Sequence, residues 1–153
     1  MDMEIESTLH SRNSDGLQDF SEKVEHLCEE LGLPPVSLDE SQTYRLPIQN
    51  LEIRFQITPQ GNVILIASLG KISELSASLQ EPPADLLKRH FRIHGARLSR
   101  LVLPYVLSQE VESGEIILWV DLGAIYEVPV DLGQVVEEML NEVEYRLGLL
   151  GIS

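Results

Sequence analysis

The chain has 153 residues, 43% of them hydrophobic and 24% charged, which suits one compact domain large enough to need no covalent staples. Its single cysteine, Cys28, excludes an intramolecular disulfide and suits a reducing compartment. With 11 Lys and Arg against 25 Asp and Glu, a formal net charge of -14, the surface repels nucleic acid and anionic membrane and favours cationic partners.

The opening MDMEIESTLHSR is acidic and polar, without the basic stretch and apolar run of a secretory signal. Residues 1–15 show no periodicity and are expected to form a flexible tail, with one domain over 16–153. Leu17, Phe20, Val24, Leu27 and Leu31 then recur at three- and four-residue steps, the mark of an amphipathic helix. Ser14 or Asp15 can cap its start, and Gly32 with Pro34-Pro35 ends it. From Ser41 the period falls to two. TYRLPI, LEIRFQI and VILIASL read as three antiparallel strands, the first ended or placed at an edge by Pro47. TPQGN supplies the turn before the third strand.

GKISELSASLQEPP is compatible with a short helical turn or a loop. Pro82-Pro83 opens a second helix, with Leu86, Leu87 and Phe91 on its apolar face and Gly95 as its stop. RLVLPYVL and GEIILWVDL read as two more strands joined by SQEVESG, with Pro104 pointing to an edge. After the connection GAIYEVPVD, a last helix begins at Asp131, with Gln134 at capping-box spacing. Leu132, Val135, Val136, Met139, Val143, Leu147 and Leu150 form its apolar stripe, and Glu137, Glu138, Glu142 and Glu144 its solvated side. The order α-β-β-β-α-β-β-α predicts an α+β fold with a single antiparallel sheet and helices packed on it. The longest apolar run, NVILIASLG, is too short to span a bilayer, so a soluble cytoplasmic protein without membrane insertion is expected.

One stretch departs from the acidic body. KRHFRIHGARLSR, Lys88 to Arg100, holds five of the eleven cations and no acid, so the remaining six cations face 25 acids, a net of -19. His90 and His94 share a helix face at the spacing of a zinc pair, but Phe91 stands where a glutamate would serve, cations flank the pair, and no third ligand is close. The reading is two surface histidines near a helix end. Cys28 and His26, two apart on a helix, point to different sides and make no nucleophilic pair. No G-x-S-x-G elbow, P-loop or G-x-G-x-x-G occurs. No enzyme activity, metal or other cofactor is expected. What remains is apolar surface: IILWV is hydrophobic on both strand faces, a place for another chain to dock.

FSEKVEHLCEELGLPPVSLDES, NVILIASLGKISE, DLLKRHF and GEIILWVDL, with the element order and a pI of about 4.5, resemble the class I type III secretion chaperones, also called the CesT/SycE-like or Tir-chaperone family. The likeness spans about Leu17 to Leu149. It implies a non-enzymatic homodimer in the bacterial cytoplasm. Such a dimer binds the N-terminal segment of a secreted effector or translocator in extended form and keeps it soluble and secretion-competent, with the export ATPase as a further contact. The resemblance places the dimer interface on Leu86, Leu87 and Phe91 of the second helix, with Leu103 and Trp119 from the following strands. It places the cargo on Phe20, Val24 and Leu27 of the first helix and on Leu46, Ile53, Phe55 and Ile64 of the sheet. The basic stretch is a departure from the family's second helix. Its cations are expected to complement the helix C-terminus and the acidic body of the other subunit. Two other readings stay open: a regulatory adaptor of the same fold that binds a folded regulator, and a small-ligand-binding α+β domain marked by a deep polar pocket.

Overall fold

The computed structural model describes residues 2–128 and 131–152, with side chains from residue 16 onward; residues 129–130 of the expected connection and both terminal residues lie outside the described residues. Helix α1 spans Asp2–Leu31. The flexible tail expected over 1–15 is therefore helical from Asp2 on; no glycine or proline interrupts residues 2–15. Gly16 is buried inside this helix, where a Cβ would stand 3.0 Å from Ile125 Cγ2. It is a close-approach point beneath the strand-to-helix connection, one or two residues after the expected caps Asp15 and Ser14. At the other end Gly32 takes φ 69°, and Leu33 N–H donates to the Cys28 carbonyl at 2.8 Å, closing the helix with a left-handed residue.

Asp39 organises the entry to the sheet. Its carboxylate accepts from Ser41 Oγ at 2.6 Å, from the Thr43 N–H at 3.0 Å and from Arg45 Nε at 3.1 Å. The Ser41 hydroxyl first, then Arg45 and the backbone donors, hold its pKa down to about 2. Strands β1 (Thr43–Ile48) and β2 (Leu51–Ile57) meet in a two-residue hairpin in which Gln49 and Asn50 have φ of 55° and 73°. This is the left-handed pair that matches strand twist. Strand β3 (Asn62–Lys71) runs straight into helix α2 (Ile72–Leu79), so the ambiguous stretch is an eight-residue helix. Helix α3 spans Pro83–Arg97, followed by a 3-10 turn over Leu98–Arg100. Strands β4 (Val106–Gln109) and β5 (Glu115–Ala124) and helix α4 (Leu132–Leu150) complete the chain.

The five strands form one antiparallel sheet in the order β1-β2-β3-β5-β4. The α+β expectation holds, with α2 as an added element. The core fills one face. Tyr44, Leu46, Ile53, Phe55, Leu65 and Leu118 point from the sheet into it, and the stripes of α1 and α4 cover them. Phe20 sits edge-on to both Tyr44 and Phe55, with centroids 5.8 and 5.6 Å away.

Three local expectations change. Gly95 does not stop α3, which continues to Arg97 because His94 and Arg97 are held by α4. Residues 101–105 are irregular, and β4 begins only after Pro104, whose missing N–H keeps it out of the ladder. Glu142 is not on the solvated side of α4: it is 5% exposed.

Candidate partner-binding surfaces

Of the residues expected to hold a partner, Phe20, Val24, Leu27, Leu46, Ile53 and Phe55 are at most 2% exposed. They build the contact between α1 and the sheet, and a partner cannot reach them on the folded chain. Period-2 and period-3.6 patterns mark a buried face; they do not say which buried face belongs to a second chain. Ile64 is different: it is half-buried on the opposite, uncovered face of the sheet.

That face has a defined row. Arg45, Arg54, Ile66, Trp119 and Val106 stand opposite one another across all five strands. Arg54 reaches over it to Glu110 at 3.1 Å, and Trp119 Nε1 donates to Ser108 Oγ at 3.0 Å. Ile117 and Trp119 are half-buried, and among the described residues no helix packs over them. Among the residues expected at a dimer interface, Trp119 lies here and Leu103 is half-buried in the segment before β4. Leu86 is fully buried and belongs to the core, whereas Leu87 is half-buried and Phe91 is 54% exposed. Leu87 and Phe91 of α3 and Leu98 of the following 3-10 turn recur at helical spacing along one side.

A groove marks the other side of the molecule. Asp19, Glu22, Lys23 and Glu30 of α1 face Asp131, Leu132 and Gly133 across a cavity of about 530 Å3. Glu30, Asp131 and Gly133 also wall the next cavity, about 770 Å3, which runs past Ile48, Gln49, Val136, Leu140 and Glu144. Gln49 and Glu144 in turn wall a third, about 490 Å3, bounded by Leu51, Leu75, Leu147 and Ile152. Shared walls make the three one open trough along α4.

The basic stretch is folded in part onto its own chain, through Arg89, Arg97 and both histidines. Arg97 grips Glu142 with Nε at 2.7 Å and Nη2 at 3.0 Å, while its guanidinium lies 4.4 Å over the Tyr145 ring. Glu142 Oε1 also lies 3.6 Å from Nε of Arg146, which is 1% exposed. Arg146 Nη1 donates to His94 Nδ1 at 2.9 Å, so that nitrogen must be an acceptor and the His94 ring neutral. Arg89 pairs with Glu81 and donates to the Leu149 carbonyl. Lys88, Arg92 and Arg100 have no ion pair among the described residues. The two histidines are not surface groups: His90 is 2% exposed and His94 half-buried. Burial first, then Arg146 and Arg89, lower the His90 pKa to about 4. Burial likewise raises Tyr105 to about 12, with Glu138 and Glu142 adding to it. Cys28 is buried, its thiol pKa raised by desolvation. Among the described residues no group of three His, Cys, Asp or Glu is placed to hold a metal, and no helix is long and apolar enough to cross a membrane.

Arg146 and Glu142 were the groups the sequence reading missed. The signal was present: Arg146 falls seven residues after Met139, on the apolar stripe itself.

No protein-family model matches the chain, and comparison with curated proteins gives no match. Solved structures do. ExsC-ExsE complex coordinates superpose with a TM-score of 0.62 at 16% identity, covering 87% of this chain and 94% of that one. The HopA1-SchA chaperone-effector complex gives 0.52 at 16% identity, over 82% and 88%. The Yersinia pestis type III secretion chaperone SycH, in complex with a stable fragment of YscM2, gives 0.50 at 15% identity, over 85% and 98%. The chain has the fold of the type III secretion chaperones.

Proposed function

We propose that this chain is a type III secretion chaperone: a non-enzymatic cytoplasmic protein that binds an extended N-terminal segment of a secreted effector or translocator and keeps it secretion-competent. The observation that carries this reading is the fold likeness over nearly the full length of both chains in complexes with partners. The physical logic is consistent with it. An unfolded amphipathic segment aggregates unless its apolar side chains and strand edges are covered. A net charge of -14 keeps both the binder and the complex dispersed. Edge strands β1 and β4 supply backbone for strand addition, and the trough along α4 supplies apolar floor.

The dimer belongs to the same proposal. Its interface takes Leu87 and Phe91 from α3, Leu103 from the segment before β4 and Trp119 from the uncovered sheet face. Leu86 supports α3 from within the core. The test is capture of the tagged chain from its native cells with identification of what co-elutes. A secreted protein is the expected partner; an intact folded regulator would instead favour the adaptor reading.

A further inference from the structure

The trough along α4 has a chemistry that selects its occupant. Its α4 wall is one helical stripe, Gly133, Glu137, Leu140, Glu144 and Leu147, spaced by three and four. From Gly133 to Leu147 this wall is about 21 Å long, the span of roughly six or seven residues of extended chain. The floor is apolar, with Ile48, Leu51, Leu75, Leu140 and Ile152. The rim is acidic. Asp19, Glu22, Glu137 and Glu144 make no ion pair among the described residues. Glu30 is engaged by His26 at 2.9 Å, and Asp131 caps α4. The cation lining the trough, Lys23, donates to the Val128 carbonyl at 3.3 Å.

We propose that this trough binds an extended polypeptide segment in which apolar residues alternate with Lys or Arg. Successive side chains of an extended chain point to opposite sides, so one set fills the floor while the other reaches the rim carboxylates. A neutral segment would desolvate four carboxylates without replacing their water, and an acidic one would add like-charge repulsion. The proposal rests on the chaperone reading and names the chemistry of its cargo.

The test uses the full-length chain and three synthetic peptides of about ten residues, followed by fluorescence anisotropy. One alternates Leu with Lys, the second Leu with Glu, the third Leu with Ser. The Leu-Lys peptide is expected to bind at least about tenfold tighter than the others, and to weaken about tenfold from roughly 50 to roughly 500 mM salt. Glu137→Lys with Glu144→Lys, both at exposed positions, is expected to lose this binding. Glu40→Lys with Glu112→Lys, equally exposed and equal in charge change, is expected to keep it. Equal binding of the three peptides, or equal loss in the two double variants, overturns the proposal. So does a changed oligomeric mass in the Glu137/Glu144 variant, which would assign the trough to a second copy. If the peptides fail to discriminate while a secreted partner is still captured, the chaperone reading stands and the trough assignment falls. If no secreted partner is captured, the chaperone reading itself falls.

Discussion

Arg146 shows what a single side chain does to the packing of α3 on α4. It is a fully buried cation whose charge is met by Glu142, which is itself held by Arg97. Its Nε and Nη2 have no hydrogen-bond partner among the described residues. Removing Glu142 leaves Arg146 buried and unpaired, so Glu142→Ala is expected to lower stability by about 3–5 kcal/mol, measured by urea unfolding. Glu144→Ala, two residues on but exposed, should change it by less than about 0.5 kcal/mol. His90 adds a pH dependence. Arg146 and Arg89 oppose its protonation and Glu81 favours it, but burial is the largest cause, and the folded pKa is about 4 against 6.5 unfolded. The folded state thus prefers the neutral ring. The associated stability is complete above pH 6.5 and is lost as pH falls from there through about 4. The expected loss at pH 5 is about 2 kcal/mol, and His90→Phe should remove that part of the slope between pH 7 and pH 5. Equal slopes in the two proteins would contradict it. Composition hides this, because a helical cation reads as solvated until the partner helix is placed; only the position of Arg146 on the apolar stripe of α4 marks it in the sequence.

At the scale of elements, the periodic segments were readable and the punctuation was less so. The stripes of α1 and α4 and the alternation in LEIRFQI each define one buried face; β2 and α4 stand where the sequence put them, and α1 ends there but begins at Asp2. Gly95 misled because glycine is a common helix stop, yet it lies inside α3, exposed, with nothing within 4 Å of an added Cβ. The two alternatives have opposite signs. In a helix interior, Gly95→Ala should stabilise by about 0.5–1 kcal/mol; at a left-handed cap it would destabilise by about 1 kcal/mol. A shift in thermal midpoint settles the sign. Residues 101–105 were over-read as strand because Leu101, Val102 and Leu103 are apolar, but Pro104 and the preceding 3-10 turn leave that stretch no partner strand. The hairpin at Gln49-Asn50 went unread because glutamine rarely takes φ above zero.

For the whole molecule, the distinction the sequence could not make was between core and interface. Both are apolar and both follow the same periods, so six of the seven cargo residues named on α1 and the sheet, all but Ile64, lie in the core of this chain. The surfaces left over are the α3 stripe with the uncovered sheet face, and the acidic trough. The dimer assigned to the first predicts a solution mass of twice the 17.2 kDa chain. Phe91 is exposed, so Phe91→Asp should fold and halve that mass in light scattering. An unchanged dimer would remove α3 from the interface.

The central claim is that the chain holds an unfolded segment of another protein. Limited proteolysis of the captured complex, read by mass spectrometry, tests it most directly. The account predicts that one N-terminal stretch of the partner survives digestion while the sequence around it is cut. Protection of an intact folded domain of the partner, or protection of no stretch at all, would contradict it.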